Sequence, residues 1–533
     1  MRKIMTLLGT LILIFSLAAC SGGGNAPAGG AAAGGAATST PPAAAGSVSK
    51  TPADTLVIAG SEIWQATFSP LNHTSTSMLH AEAIALDHLL KMNEATQTVE
   101  PWLATEWSYD EAKTTLTVKL REGVKFHDGT DFTAEDAAAS CVAYSAAANV
   151  SGSWWPDELT CAVIDDYSFT ITPKSGKPMG ALVNMLTATP VMSADDLANP
   201  TQTLDRGYNG TGPYKFVKLE NETAYYDAFP ECWSGAPQMP HIAYQYVGDS
   251  QTRLNTLLAG EVDVIERADS DAVAVMESDP NINVVTFITT ENKHLIPKFQ
   301  KEPMNNALLR RAIAYAIDYD GIVNSIMGGY AGKVDSFVSS RIWGHAAVPG
   351  VGEYNPDLAR QLLAEAGYPN GEGLPEIEIT TSVGFYPKTK EYYEYIVANL
   401  AEVGIPAKCT PMDASAWGDI LYDPQPAFYA TDCGWQPSGI EPELKLSSWY
   451  YHGRISHYEP TAELLDVMKR FAQETDDAAR RSILQNEYLP ALAAEMPDIP
   501  LLQSMAIYGV RNNVKGLDFT AGADFILANV TKD

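Results

Sequence analysis

Between Thr114 and Leu120 apolar and polar residues alternate, with Leu116, Val118 and Leu120 on one face. This is the period-two pattern of a strand with one buried side. Gly123 and the turn His127-Asp128-Gly129 follow. Thr133, with Asp136 three residues on, has the form of a capping box and predicts the start of an alanine-rich helix. The second half of the chain changes period. After Asn305, the residues Leu309, Ala312, Ile313, Ala316 and Ile317 recur at three and four, one apolar helix face. Ile322, Ile326 and Met327 mark the next helical segment, which Gly328-Gly329 ends. Asn355 is placed to cap a helix with Pro356 in its first turn, Leu358, Leu362 and Ala366 inward, and Gly367 as the stop. Tyr393, Ile396, Val397 and Leu400 predict a further helix closed by Gly404, and Leu464, Leu465, Met468 and Phe471 another. Short strands interleaved with amphipathic helices predict a mixed α/β architecture.

The N-terminal pattern is of another kind. Arg2 and Lys3 precede an uncharged stretch from Ile4 to Ala19, short of the about 20 apolar residues that a bilayer span needs. Its end, Leu17-Ala18-Ala19-Cys20, resembles the bacterial lipobox, in which the cysteine is lipidated and becomes the mature N-terminus. Residues 21–46 are nearly all Gly, Ala, Ser, Thr and Pro without charge, a composition with nothing to bury. The expected order is a signal peptide over 1–19, a flexible tether over 20–50, and a folded body beginning near Thr55. The lipid on Cys20 would hold that body at a membrane surface, periplasmic or on the outer face of the cell.

A chain of 533 residues exceeds what one hydrophobic core usually serves, so at least two lobes are expected. Its net charge of −30 opposes binding to phosphate backbones and excludes nucleic acid as a partner. Beyond Cys20 five cysteines remain, with no C-x-x-C pair among them, which removes zinc and thioredoxin-like readings. In an oxidising compartment two pairings are open, Cys141 with Cys161 and Cys409 with Cys433, leaving Cys232 over.

Enzyme signatures are missing: no H-E-x-x-H, no G-x-S-x-G, no P-loop and no G-x-G-x-x-G. Gly332-Lys333 lacks the hydroxyl residue of a P-loop end, since Val334 follows. His80 and His88, with Asp87 nearby, are read as ordinary surface or hinge residues rather than metal ligands. The chain does carry ten Trp and twenty-five Tyr. Most belong to the core, and some suit a cleft that grips a polar ligand with an apolar stem.

Four blocks in order carry a resemblance. The first is Val118-Lys119-Leu120-Arg121-Glu122-Gly123-Val124-Lys125-Phe126-His127-Asp128-Gly129-Thr130, with Phe132-Thr133-Ala134-Glu135-Asp136. The second begins at Gly210-Thr211-Gly212-Pro213-Tyr214 and runs to Gly260-Glu261-Val262-Asp263. The third is Arg310-Arg311-Ala312-Ile313-Ala314-Tyr315-Ala316-Ile317-Asp318, and the fourth runs from Tyr354-Asn355-Pro356-Asp357 to Gly367-Tyr368-Pro369. Together these resemble the extracellular solute-binding proteins of family 5, the dipeptide, oligopeptide and nickel-type receptors of ABC importers, from about Leu56 to Gly516. The resemblance implies an α/β, periplasmic-binding-protein-like type II fold: two lobes with a hinge, and an extra subdomain inserted in lobe I. The implied limits are 51–290 for lobe I, with the insertion at about 91–189, 291–498 for lobe II, and 499–533 returning to lobe I. His127 is expected to be structural.

The same resemblance implies a lipid-anchored, monomeric receptor that closes on a small solute and hands it to a membrane permease, without cofactor, metal or covalent chemistry. In the peptide receptors a tryptophan of lobe II is followed three residues later by an aspartate that pairs with the ligand's ammonium. Here Gly434-Trp435 and Glu441-Pro442 fit that segment, but Ser438 stands at the aspartate's place, with Asp432 upstream as a substitute. The candidate ligand-binding residues are Trp435, Ser438 and Asp432, then Trp64, Gln65 and Phe68 in the first loop of lobe I, with Trp417 and Tyr386 beyond them. An oligopeptide is the first ligand class. A mono- or oligosaccharide or other neutral polar solute is the second, since a hydroxyl serves a neutral ligand where a buried ammonium demands a carboxylate. Nickel is disfavoured, because no histidine or arginine cluster falls at the cleft. A surface-anchored hydrolase is the rival of a different class, opposed by the missing motifs.

Overall fold

Eleven strands form the main sheet of the computed structural model. The structure describes residues 48–533 except 62–70, 72–75, 147–154, 200–206, 384 and 438. In chain order the strands are β1 (Thr55–Gly60), β2 (Tyr214–Glu220), β3 (Thr223–Ala228), β4 (His241–Tyr246), β5 (Val264–Ile265), β6 (Ile282–Pro297), β7 (Ala331–Gly332), β8 (Ile377–Val383), β9 (Ala407–Asp413), β10 (Ala430–Trp435) and β11 (Ile499–Arg511). Across the sheet they run β9-β8-β10-β6-β11-β5-β1-β4-β3-β2, with β7 attached to β11.

The long strands β6 and β11 are the spine. They pair antiparallel from Ile282↔Arg511 to Ile288↔Met505, slip register between Ile288 and Asn292, and resume from Asn292↔Gln503. Each passes between separate apolar clusters. Ile282 belongs with Leu254, Leu257 and Met276, whereas Leu295 and Ile296 belong with Leu309, Ile313, Ile377 and Leu400. Tyr508 and Val510 pack with Leu56, Ile58 and Tyr226, whereas Leu501 and Leu502 join the cluster of Leu309.

The segment between β1 and β2 builds its own four-stranded sheet, in the order Ala104–Tyr109, Leu116–Leu120, Ser168–Pro173, Leu159–Asp165. Leu116, Val118 and Leu120 are buried as their alternation predicts, in a cluster reaching from Leu89 to Val191. Helix Ala134–Ala146 covers this sheet, and the Asp136 carboxylate accepts the Thr133 N–H at 2.8 Å, one arm of the expected capping box.

The predicted helices of the second half form. Asn306 caps Ala307–Ala316 by accepting the Leu308 N–H, and Leu309, Ala312, Ile313 and Ala316 are buried. Asn355 caps Pro356–Glu365 by accepting from Leu358. Its buried face is Ala359, Leu362 and Leu363, turned from the expected Leu358 and Ala366, which are half-buried. Ile322–Ile326 is a π-turn, closed by Met327 N–H to Ile322 O at 2.9 Å. Gly328 and Gly329 stop it with φ of 63° and 86°, values open to glycine at no steric cost.

His127 joins two of the sequence blocks. Its Nδ1 accepts the Gly210 N–H at 3.2 Å and its Nε2 lies 2.9 Å from Gly212 O. A Cβ on Gly210 would stand 2.0 Å from Ala85 O, so only glycine allows this approach. His80, Asp87 and His88 do not converge on a point. Asp87 accepts the indole N–H groups of Trp102 and Trp233 at 2.8 and 2.9 Å, while His80 binds Glu266 at 2.9 Å.

Candidate ligand cleft

A cavity of about 520 Å³ opens over the β6–β11 pair. One wall is made by the loops after β4 and β5, Gly248–Ser250 and Arg267–Ser270, and another by Ser382 and Val383 at the end of β8 with Phe385 to Tyr392 after it. Period-two alternation sends Thr289, Glu291 and Lys293 of β6 into the cavity.

Glu291 and Lys293, two apart on one strand face, meet at 2.5 Å. The Lys293 ammonium also lies 3.3 Å from the centroid of the Tyr386 ring. Burial disfavours the charged form of Lys293 and lowers its pKa, against the raising effect of Glu291. Burial works the other way on Glu291, but the charges of Lys293 and Arg267 outweigh it and hold the carboxyl below its usual value. Arg267 adopts φ of 47°, a left-handed conformation that side chains other than Gly rarely take, at the lip of the cavity. Behind it, buried Glu266 accepts the Ser61 N–H at 2.8 Å and the Tyr244 hydroxyl at 3.1 Å, and meets His80. Burial raises the Glu266 pKa, yet the hydrogen bond and charge of His80 dominate with Arg267, and it falls to about 2.

Apolar and aromatic residues share the lining with further polar and charged groups, Asp249, Arg253, Asp269, Lys390 and Glu391 among them. Phe385 and Tyr386 stand edge to face at 4.6 Å, and Met327 and Tyr330 line a side. The cleft thus offers both signs of charge beside an apolar wall. Among the described residues no group of three His, Cys, Asp or Glu side chains is placed to hold a metal ion.

The sequence-derived candidates take different places. Tyr386 lines the cavity, its hydroxyl accepting the Gly434 N–H at 2.9 Å. Trp417 lies buried behind it, donating its indole N–H to Thr431 at 3.1 Å and packing 5.7 Å from Phe385. Trp435 ends β10, buried in the cluster of Leu309 and opposite Asn292, while its neighbour Gln436 lines the cavity. Asp432 is buried one layer back: its two oxygens accept the Ser382 N–H and hydroxyl at 3.0 and 2.8 Å, and Ser382 faces the cavity. Burial pushes the Asp432 carboxyl up to about 6 despite those donors. Glu441, the acid of the acid-proline pair, takes a fork of hydrogen bonds from Arg480 at 2.6 and 2.9 Å and one from Asn184 at 2.7 Å. Trp64, Gln65, Phe68 and Ser438, like Cys20, lie outside the described residues. Glu291, Lys293 and Arg267 were missed by sequence reasoning. The signal for the first two was a pair of opposite charges two apart in the run that becomes β6.

The profile of the bacterial extracellular solute-binding proteins, family 5 Middle, matches residues 98–457. The chain belongs to this family. It is 25% identical over 484 residues to the dipeptide-binding protein of Escherichia coli (strain K12), covering 84% of this chain and 89% of that relative. To the glutathione-binding protein of the same strain it is 27% identical over 437 residues, 78% and 82% of the two chains. Among solved structures, the dipeptide binding protein of Pseudoalteromonas sp. SM9913 in complex with Met-Leu superposes with a TM-score of 0.76 at 18% identity, over 90% of this chain and all of that one (100%). The oligopeptide-binding protein of Bacillus subtilis in complex with a nonapeptide gives 0.71 at 21%, over 90% and 99%. The fold is therefore the α/β periplasmic-binding-protein fold that the sequence blocks implied. The family is one of extracellular solute-binding proteins, which places the chain's work outside the cytoplasm.

Proposed function

We propose that the protein is the lipid-anchored receptor of an ABC importer and that its cargo is a short peptide, enclosed between two lobes and handed to the permease. The observation that carries the cargo class is the pairing in one cavity of Arg267, Lys293 and Glu291 with the apolar wall of Phe385, Tyr386 and Met327. A zwitterionic peptide presents a carboxylate, an ammonium and apolar side chains, and each finds its complement there. Relatives named for binding a dipeptide and glutathione support the same class. Glu291, on the β6 face of the cavity, would serve a ligand ammonium in place of the aspartate that Ser438 replaces, with Asp432 positioning Ser382 behind it.

The lobes we assign are 51–290 with 499–533, and 291–498, the insertion occupying about 91–189. Support comes from the way β6 and β11 each begin in one apolar cluster and end in another, with the register slip between Ile288 and Asn292 at the crossing. Acylation of Cys20 would tether the body; palmitate labelling of cells producing the wild type and Cys20→Ser tests it, and label retained by the variant overturns it.

The test of cargo is gentle purification of the full chain, denaturation, and mass spectrometry of what is released, followed by add-back with thermal unfolding. Ligand at about 100 times its Kd adds ~2.7 kcal/mol of stability. Released peptides that restore the melting shift are the expected result. A released sugar, with peptides inert, overturns the peptide reading.

A further inference from the structure

The cysteines of the folded body sit in unequal surroundings. Cys141 is on the inner face of helix Ala134–Ala146 with no exposed surface. Cys161 is half-buried on Leu159–Asp165, the strand at one end of the four-stranded sheet, and packs against the cluster that contains Cys141. Both are free thiols in the structure, and the neighbouring Cys161 side chain together with burial holds Cys141 well above the usual thiol pKa. Helix and strand are tied nearby, where Ser145 Oγ accepts the Leu159 N–H at 2.9 Å.

The other sulfurs have no such partner. Cys409 is on β9 and Cys433 on β10, and β8 runs between them, with Ile379 in register with Cys409 on one side and with Ala430 on the other. Two strand spacings are roughly 9.5 Å, beyond the about 7 Å that a disulfide allows between Cα atoms. The sequence left that pairing open, and the intervening strand closes it. Cys232 Sγ instead lies 3.2 Å from Ser234 Oγ.

We infer that Cys141 and Cys161 form a disulfide in the mature protein, whose family works outside the cytoplasm where such bonds persist. The thiolate of half-exposed Cys161 attacks the disulfide of an oxidant, a protein dithiol oxidase in the cell or oxidised glutathione in vitro, and releases one of its sulfurs as a thiolate. Cys141 then attacks the Cys161 sulfur and expels the second. The two cysteines lose two protons and two electrons, and the oxidant's S–S bond is reduced to two thiols. The bridge pins an end strand that carries exposed apolar side chains, Val163 at 51% and Ile164 at 59%, to the helix behind it.

The test uses the full chain extracted from membranes, denatured in an alkylating agent without reductant, digested and mapped by mass. The expected product is a linked pair of peptides carrying Cys141 and Cys161, lighter by the two hydrogens lost, with Cys232, Cys409 and Cys433 alkylated. Reductant should lower the Tm of the wild type to that of Cys161→Ser and leave the variant's Tm unchanged. If Cys141 and Cys161 are alkylated in full even after incubation with oxidised glutathione, or if either is linked to another cysteine, the assignment is overturned.

Discussion

Lys388 on one wall of the cleft reaches Asp271 at the other, Nζ to Oδ1 at 2.6 Å. Lys388 holds a left-handed φ of 52° and precedes helix Thr389–Glu402. Asp271 is 79% exposed and the lysine 22%, which places the pair in the class of solvent-screened contacts that contribute ~0.2–1 kcal/mol. A double-mutant cycle of Lys388→Met and Asp271→Asn should give a coupling of that size in peptide affinity, at most about fivefold in Kd, by calorimetry. Molar salt should erase it.

Glu291 supplies the counter-charge to a lysine with little exposed surface. Glu291→Gln should destabilise the fold by about 2–4 kcal/mol, because Lys293 is left against Tyr386 and Arg267 without its carboxylate. If Glu291 also receives the ligand's ammonium, the wild type will prefer free over N-acetylated peptides by tenfold or more. The variant will bind the two alike, and an unchanged preference removes Glu291 from that role.

The His80–Glu266 pair sets both ends of the pH range. Glu266 is depressed to about 2 in the fold, so its contribution is complete above the unfolded value near 4.5 and is lost as pH falls toward 2. His80 is raised, burial notwithstanding, by its hydrogen bond to Glu266. Its contribution is complete below the unfolded value near 6.5 and is lost as pH rises through the folded one. Both describe one interaction, worth on the order of 3 kcal/mol and counted once. Stability by urea titration should fall on both sides of a maximum near pH 5–6, and His80→Ala should flatten both limbs.

Asp432 has the opposite sign. Its folded pKa of about 6 lies above the unfolded value near 3.9, so the native state binds the proton more tightly and stability falls as pH rises between the two. Asp432→Asn should thus be more favourable near pH 7.5 than at pH 4 by about 3 kcal/mol in the same titration. A change in peptide Kd under tenfold would restrict Asp432 to positioning Ser382.

The amino-acid order by itself determined the elements and the family. The capping residue Asn355, the alternating face Leu116-Val118-Leu120, and the glycines at 328 and 329 act within a few residues, through local hydrogen bonds and φ preferences that a reading of neighbours captures. Which face of Pro356–Glu365 is buried already escaped it, because the partner is a distant helix, Ala307–Ala316, whose packing turned Ala359 and Leu363 inward. The cleft escaped it more fully. Arg267, Glu291, Phe385 and Lys388 become neighbours only when β5, β6 and the segment after β8 are brought together in one sheet, and the desolvation that shifts Lys293 and Asp432 exists only once that sheet has excluded water. The cysteines divide the same way: spacing allowed two bridges, and only the tertiary order, with β8 between Cys409 and Cys433 and a helix laid directly over Cys161, left one.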